Sequence, residues 1–348
     1  MSTTDTDEAV ERPIEYFLQD IAYQGKSERT QQAYERVLRE FERFLGDGAD
    51  RGGPALSLAE ATHRDCMAYI HRLRGSVADS TVATYASYLH RFYDYMTQVG
   101  AFDSNPMTLV VEELDETIDT DPARRDISVP EMREFVAGIN HPLDRAVVLT
   151  LLKTGIRAGE LCNLDQRDLH LAEDPRDGVT VRPQLDGRPD SLYVAADPKR
   201  GSTVNGEQRR ASNKRQRDTV VPVDDELATV LREWLAIRPD PVSDANPLFT
   251  GTSDNWGQRL STDMVHHVVE SLAREADWYH DGAGAADNVT PHYFRHFFTT
   301  HLRDRTGDRG IVKYLRGDVA QDIIDTYTHD WGDRVRTVYE GNIYRLTG

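Results

Sequence analysis

The sequence is short of several residue types, and each shortage excludes a class of protein. Two cysteines among 348 residues are too few for a disulfide framework or a cysteine-ligated zinc site. Both Cys66 and Cys162 stand among apolar neighbours, which predicts buried, unreactive thiols in a reducing, cytoplasmic compartment. No apolar run reaches the roughly 18 residues of a membrane span, so we expect none. The N-terminal stretch also lacks the basic start and apolar core of a signal peptide.

Lysine is scarce as well. Only five of the 41 basic residues are lysine, and the formal net charge is −18. Such a charge repels a polyanion, so composition alone argues against a nucleic-acid partner. However, excess acid with few lysines is typical of proteins that work in concentrated salt, where the screening length falls to about 3 Å at 1 M. We therefore expect a halophilic, archaeal source in which repulsion from DNA is screened.

The length suggests two domains. Residues 1–12 are predicted to form a disordered acidic tail, and residues 13–106 a bundle of about four helices. Residues 107–126 are predicted to be a charged linker, and residues 127–348 a second domain of helices with a few strands. The predicted fold class is mainly α with a small β-sheet or hairpin in the second domain. Helix caps are expected at four positions, namely Thr30, Ser57, Ser80 and Ser128.

The first candidate motif is TGIRAGEL at residues 154–161. An apolar helix is predicted to end at Thr-Gly and a second helix to begin at once, which would hold Arg157 in a tight turn. Glu160 lies one helical turn further along, within reach of Arg157. Taken alone, the two residues could equally be an ordinary surface ion pair of little energetic value.

The second motif is TPHYFRH at residues 290–296. Proline suits the first turn of a helix, so His292 and Arg295 would share one face and could donate to a single anion. The alternative is a solvated histidine at a helix start. A metal site of His292, His296 and His301 has no accompanying carboxylate at a known spacing, and no metal is predicted.

The third motif is a basic stretch, residues 198–217, between two runs that predict strands at Leu192–Ala195 and Thr219–Val223. In so acidic a chain, this concentration of positive charge indicates a hairpin that contacts a phosphate backbone. Asn205-Gly206 predicts a tight turn within it. Its seven basic residues are Lys199, Arg200, Arg209, Arg210, Lys214, Arg215 and Arg217.

The fourth motif is IIDTYTH around Tyr327, which by itself is most simply a packed core aromatic. In this order, however, the motifs resemble those of the tyrosine recombinase (phage integrase) family, with a Xer-like arrangement. TGIRAGEL resembles the first arginine box, TPHYFRH the His-x-x-Arg-His box and DTYTH the nucleophile box. KRQRDTVVP resembles the lysine turn before a Val-Pro strand, and the helical bundle resembles the core-binding domain. The resemblance covers nearly the whole chain.

The resemblance implies an enzyme that breaks and rejoins DNA without metal, ATP or another cofactor. Tyr327 would attack the scissile phosphate and form a covalent link, while Arg157 and Arg295 bind the non-bridging oxygens. Lys214 would protonate the departing 5′-hydroxyl, and His292 would assist proton transfer. Glu160 and His296 would support them. The basic stretch implies DNA contacts by five residues, Arg200, Arg209, Arg210, Arg215 and Arg217.

The sequence departs from the family pattern at one position and leaves two assignments open. Asp318 occupies the slot, nine residues before the nucleophile, where the family usually has His or Trp. A carboxylate there would oppose the transition-state charge, so it could instead orient His292 or an arginine. Lys199 is the runner-up for the acid, because this loop holds extra residues, and Tyr339 is the runner-up nucleophile.

The implied partners are double-stranded DNA and further copies of the chain, as a tetramer on paired sites. Residues 331–348 would dock on a neighbouring subunit, although packing within the same chain is an equal alternative. Two other functions remain open: a catalytically impaired DNA-binding regulator of the same fold, which only Asp318 favours, and a relaxing topoisomerase, which would not need the helical arm.

Overall fold

The computed structural model describes residues 9–26, 28–47, 53–116, 124–176, 178–318 and 331–347. The chain divides into two compact units, Met1–Pro122 and Ala123–Gly348. None of the described helices combines the length and the apolar character needed to cross a membrane.

The first unit is helical around an aromatic-rich core. Phe17, Phe41 and Phe92 are fully buried, and the rings of Phe17 and Phe92 meet edge to face at 5.5 Å between centroids. A short 3₁₀ turn spans Leu58–Glu60. The helices described in this unit are α1 (Pro13–Tyr23), α2 (Glu28–Gly46), α3 (His63–Leu73), α4 (Asp79–Gln98) and α5 (Thr108–Glu112).

Three of the predicted helix caps in this unit are wrong. Helix α2 begins before Thr30, and α4 begins before Ser80, so both residues lie inside the first turn. Ser57 does form a capping box, but with Glu60 of the 3₁₀ turn and not with α3. The backbone at Ala61 is extended, so the turn ends there and does not continue into α3. Helix α3 is capped instead by Thr62. Ser128, in the second unit, caps its helix as predicted.

The helical unit extends beyond the predicted boundaries. Residues 1–12 were predicted to be a disordered tail. Ala9 is helical and fully buried, so this part of the predicted tail belongs to the helical unit. At the other end, Met107 and Val110 are buried in the same core, because α5 packs against the bundle. The predicted linker is therefore shorter than 107–126. Its last residues belong to the second unit, where Arg125 N donates to Ala286 O at 2.7 Å.

The second unit is built around α7, whose residues from Ala146 to Thr154 are all buried. Helices α9 and α11 pack against it. The helices described here are α6 (Val129–Ala137), α7 (Pro142–Thr154), α8 (Ala158–Cys162), α9 (Asp225–Ile237), α10 (Thr262–Glu275), α11 (Pro291–Thr306), α12 (Arg309–Arg316) and α13 (Trp331–Asn342). The strands are β1 (Leu169–His170), β2 (Ser191–Val194), β3 (Thr203–Val204), β4 (Glu207–Gln208) and β5 (Thr219–Pro222).

The two predicted strand runs, now β2 and β5, pair antiparallel in a three-stranded sheet of order β1-β2-β5. The basic stretch between them contains the separate hairpin β3-β4. Its turn residues Asn205 and Gly206 have φ of 53° and 79°, the left-handed values that a tight two-residue hairpin requires. The predicted fold class, helical with a small sheet and hairpin, is confirmed.

The C-terminal segment packs on its own domain. Tyr344 and Leu346 are fully buried, and the backbone amides of Leu346 and Thr347 donate to the Glu226 carboxylate at 2.9 Å. The buried ammonium of Lys153 donates to Asp224 at 2.7 Å and to the Tyr344 carbonyl at 2.5 Å. The described part of residues 331–348 therefore packs on its own domain in this structure, and docking on a neighbouring subunit stays a prediction.

Candidate active site

Arg157 stands at the turn between α7 and α8. Gly155 ends α7 with φ of 63°, and a Cβ at this position would clash with the Phe298 ring, so the left-handed turn and its close packing both need glycine. Arg157 is the N-cap residue of α8, and its side chain is 27% exposed. The predicted helix–turn–helix at TGIRAGEL is thus present.

Glu160 is fully buried beneath this turn. Its carboxylate accepts from Arg157 N and Arg157 Nη1, both at 3.0 Å, and from Arg215 Nη2 at 3.2 Å. A buried carboxylate with two arginine partners is not an ordinary surface pair, so that alternative is wrong. Glu160 fixes the Arg157 guanidinium through Nη1 and leaves Nη2 to donate to another group.

Arg295, on the second turn of α11, is only 2% exposed. Its Nη1 donates to the Gly155 carbonyl at 2.6 Å, which ties α11 to the turn that carries Arg157. Its Nη2 donates to the Arg316 carbonyl at 3.1 Å and to Asp318 Oδ1 at 3.0 Å. Burial and the neighbouring charges of Arg157 and Arg316 lower the pKa of Arg295 to about 9, so it remains a cation at neutral pH.

Asp318 joins these arginines. Its Oδ1 accepts from both Arg157 Nη2, at 3.2 Å, and Arg295 Nη2, at 3.0 Å. Its Oδ2 lies 3.0 Å from Arg316 Nε in an ion pair. Of the two predicted roles for Asp318, contact with arginines is therefore observed. Two arginines from separate helices can evidently hold one anionic oxygen between them.

His292 is exposed on the first turn of α11, one helical turn before Arg295. Partial desolvation by its neighbours, together with the charges of Arg124, Arg295, Arg157 and Arg316, lowers the pKa of His292 to about 4. The imidazole is thus neutral at physiological pH. Within the described ranges, no group of three or more His, Cys, Asp or Glu side chains is placed to hold a metal ion.

Both candidate lysines are exposed in the loop between β2 and β5. Asn213 N donates to the Pro198 carbonyl at 2.7 Å, so the segments that carry Lys199 and Lys214 lie side by side. Arg215, next to Lys214, reaches the Glu160 carboxylate beneath Arg157. Lys214 is therefore adjacent in the chain to a residue that contacts Glu160, and Lys199 is adjacent to Pro198, the partner of Asn213.

Two of the five predicted DNA-binding arginines have a different role, and the prediction is corrected for them. Arg209 is buried and forms two hydrogen bonds to Asp165, at 3.0 and 2.7 Å. Arg215 is buried against Glu160 and also donates to the Leu315 carbonyl at 3.1 Å. Neither side chain is available to a phosphate backbone, because each neutralises a buried carboxylate. Arg217 is half-buried with its guanidinium 4.4 Å from the centre of the Tyr314 ring, and its contact with DNA stays a prediction.

Arg200 and Arg210 are the two exposed members of the predicted DNA-binding set. His296, predicted to support the site, is half-buried on α11 with its ring centroid 6.1 Å from that of Tyr293. The roles of these three residues stay predictions.

Family models match both units. The model of the phage integrase family matches residues 129–332, and that of the phage integrase N-terminal SAM-like domain matches residues 14–100. The chain belongs to the phage integrase family. The predicted family and enzyme class, a tyrosine-type site-specific recombinase, are thereby confirmed, and the impaired-regulator alternative is not favoured.

Relatives of this integrase family member cover nearly its full length. The tyrosine recombinase XerC of Pelobacter propionicus is 24% identical over 320 residues, which are 90% of this chain and 89% of its own. The tyrosine recombinase XerD of Shewanella oneidensis is 23% identical over 341 residues, or 94% of this chain and 95% of its own.

Solved integrase structures share the fold. The Tn1549 transposon integrase, in complex with a circular intermediate DNA, superposes with a TM-score of 0.62 at 18% identity, covering 93% of this chain and 97% of its own. A lambda integrase dimer bound to a core site gives a TM-score of 0.58 at 14% identity, covering 91% and 97%.

The predicted nucleophile of this family member, Tyr327, lies outside the described residues. The runner-up, Tyr339, is fully buried on α13, and its hydroxyl donates to the Lys153 carbonyl at 2.9 Å. Burial and nearby carboxylates raise the pKa of Tyr339 well above 10. A hydroxyl that is sealed from solvent and engaged with backbone cannot reach a DNA phosphate, so Tyr339 is wrong as a candidate nucleophile.

Sequence reasoning missed Arg316, although its carbonyl and its side chain both take part in the site. The signal was available in the tetrapeptide LRGD, where the unexpected acidic residue Asp318 stands two residues after the basic residue Arg316. Lys153 was also missed, because nothing local distinguishes a buried lysine at the end of an apolar helix from an exposed one.

Proposed function

We propose that the protein cuts and rejoins double-stranded DNA through a covalent 3′-phosphotyrosyl intermediate at Tyr327. The observation that carries the proposal is the single carboxylate oxygen held between Arg157 Nη2 and Arg295 Nη2. A non-bridging phosphate oxygen has similar charge and hydrogen-bonding capacity, so the same two donors suit a scissile phosphodiester.

In the proposed reaction, the Tyr327 oxygen attacks the phosphorus in line with the 5′-oxygen. A new bond forms between tyrosine and phosphorus, the bond to the 5′-oxygen breaks, and Lys214 supplies the proton to that oxygen. Arg157 and Arg295 stabilise the charge that accumulates on the non-bridging oxygens. The tyrosine hydroxyl has an ordinary pKa of about 10 and must lose its proton as it attacks. We propose that neutral His292 accepts it.

The reaction reverses when a free 5′-hydroxyl attacks the phosphotyrosine, so religation needs no nucleotide cofactor. The bond energy of the broken strand is retained in the covalent link. Pairwise exchange of strands between two sites implies a tetramer, which we include in the proposal together with cytoplasmic location, a halophilic source and the DNA contacts of Arg200 and Arg210.

The test uses a nicked duplex from which the cleaved fragment diffuses away, so that the covalent intermediate accumulates. Target DNA would be drawn from the sequences flanking the gene in its host genome. We expect an adduct, resistant to detergent, with wild type and with Tyr339→Phe, and none with Tyr327→Phe.

An absence of adduct with wild type, alongside intact DNA binding, would identify a DNA-binding regulator instead. An adduct that persists in Tyr327→Phe would move the nucleophile to another residue. Relaxation of supercoiled DNA without exchange of strands between sites would indicate a topoisomerase.

A further inference from the structure

Arg316 is placed in the site by a turn that tolerates few other sequences. It is the last residue of α12, and Gly317 follows with φ of 73°. A Cβ at Gly317 would overlap the Arg215 side chain, which packs against this turn, and Gln216 N donates to the Gly317 carbonyl at 3.2 Å. The turn therefore fixes the backbone of Arg316 and Asp318 on either side of Gly317, and their side chains pair with each other.

The Arg316 side chain forms an ion pair at Nε, which has no hydrogen-bond partner among the described residues. Its Nε lies 3.0 Å from Asp318 Oδ2, and 29% of the side chain is exposed. No hydrogen bond or ion pair involves its two terminal nitrogens within the part of the chain that the structure describes. Those nitrogens carry four N–H donors. Its carbonyl accepts from Arg295 Nη2 at 3.1 Å, so Arg316 lies beside Arg295.

The charges of the site leave a role for this arginine. We use the name arginine cluster for Arg157, Arg215, Arg295 and Arg316. Four guanidinium groups face two carboxylates, Glu160 and Asp318. Two positive charges therefore remain, and one would remain without Arg316. A phosphodiester carries one negative charge and approaches two as the fifth oxygen bonds to phosphorus, so the full cluster matches the transition state better than the ground state.

We propose that Arg316 is a third phosphate-binding arginine and that Asp318 is the positioning residue that holds it. The pair takes the place of the neutral or cationic side chain that the family usually has in the slot of Asp318. Asp318 pairs with Arg316 through Oδ2 and presents it to the scissile phosphate, while its Oδ1 occupies the place between Arg157 and Arg295 until a phosphate oxygen replaces it. The inference rests on the proposed function, because it concerns the same phosphate.

The experiment measures single-turnover cleavage of the nicked duplex by Arg316→Ala, with DNA affinity measured in parallel. We expect cleavage about 10²-fold slower than wild type, the cost of removing one transition-state donor, with little change in affinity. Arg316→Lys should recover part of the rate, because it keeps the charge but loses the fork. The matched control is Arg303→Ala, since Arg303 forms an exposed pair with Asp304 on the same domain.

A substrate with an uncharged methylphosphonate at the scissile position distinguishes charge neutralisation from a folding defect. The neutral group needs less positive charge, so the gap between wild type and Arg316→Ala should narrow by roughly tenfold or more. An equal defect on both substrates would overturn the role of Arg316, as would wild-type cleavage by Arg316→Ala on the natural phosphate.

Asp318→Asn tests the positioning role. If Asp318 acts through Arg316, the effects of the two substitutions should not add. The double variant Arg316→Ala/Asp318→Asn should then cleave at about the same rate as the slower of the two single variants. The control is Asp304→Asn. Faster cleavage by Asp318→Asn than by wild type would overturn the positioning role, because the competition of Asp318 with phosphate for Arg157 and Arg295 would then outweigh its effect on Arg316. Failure of wild type to form any adduct would refute the proposed function itself, whereas the outcomes above refute only this inference.

Discussion

Glu160 and Arg215 form an ion pair at 3.2 Å in which both side chains are completely buried. The pair connects the turn that carries Arg157 to the loop that carries Lys214. Burial lowers the pKa of Arg215, and the charge of Glu160 opposes that shift. Neither charge can be removed alone without leaving its partner unsatisfied in the protein interior.

Glu160→Ala is therefore expected to destabilise the fold strongly. Removing one partner of a buried pair costs about 3–5 kcal/mol in the free energy of unfolding. Chemical denaturation of wild type and variant measures this loss. The matched control is Glu340→Ala, which removes an exposed pair with Arg336 and should cost less than about 1 kcal/mol. Equal losses in the two variants would contradict the assignment of Arg215 to a structural role.

The identity of the general acid can be decided between the two exposed lysines. Lys214→Ala should slow cleavage of an ordinary phosphodiester by about 10²–10⁴-fold, the contribution of a positioned acid. A substrate with sulfur in place of the 5′-bridging oxygen should restore the rate, because a thiolate leaves without a proton. Lys199→Ala is the control and should behave as wild type on both substrates. Rescue of Lys199→Ala in place of Lys214→Ala would assign the acid to Lys199.

Sequence reasoning predicted what is local and missed what depends on distant partners. Arg157 with Glu160, and His292 with Arg295, were recognisable because residues three apart share a helix face. Arg209 and Arg215 were predicted to contact DNA because a count of charges does not reveal burial. Their carboxylate partners lie 44 and 55 residues away along the chain. The bond from Arg295 to Gly155 spans 140 residues and was equally inaccessible.

The fold shows the same division. The strands of the sheet and the Asn205-Gly206 turn were predicted, because β-branched runs and left-handed turn residues act locally. The exact helix starts were not, because the acidic residues Glu28 and Asp79 are favourable in a first turn and extend the helices past Thr30 and Ser80, which are acceptable caps.

His292 should make stability depend on pH in a defined window. Its pKa falls from about 6.5 in the unfolded chain to about 4 in the folded protein. Between these values the unfolded state binds the proton more readily, so its contribution to stability is complete above about pH 6.5 and is lost as the pH falls towards 4. The unfolding free energy of His292→Gln should therefore fall less steeply than that of wild type over this range. Parallel slopes would show that the imidazole titrates normally. His71→Gln, an exposed histidine of the helical unit, is the control.

Salt dependence tests the interpretation of the acidic composition. With a net charge of −18, the folded chain repels itself and repels DNA at low ionic strength. Raising KCl from 0.1 to 1 M shortens the screening length from about 10 to about 3 Å. We expect the midpoint of thermal unfolding to rise over this range, and adduct formation to persist at 1 M salt. Sucrose at matched osmolality is the control for effects other than screening, and should give a smaller rise. A midpoint that falls with KCl would contradict a halophilic source, because attractive surface ion pairs would then outweigh the repulsion that screening removes.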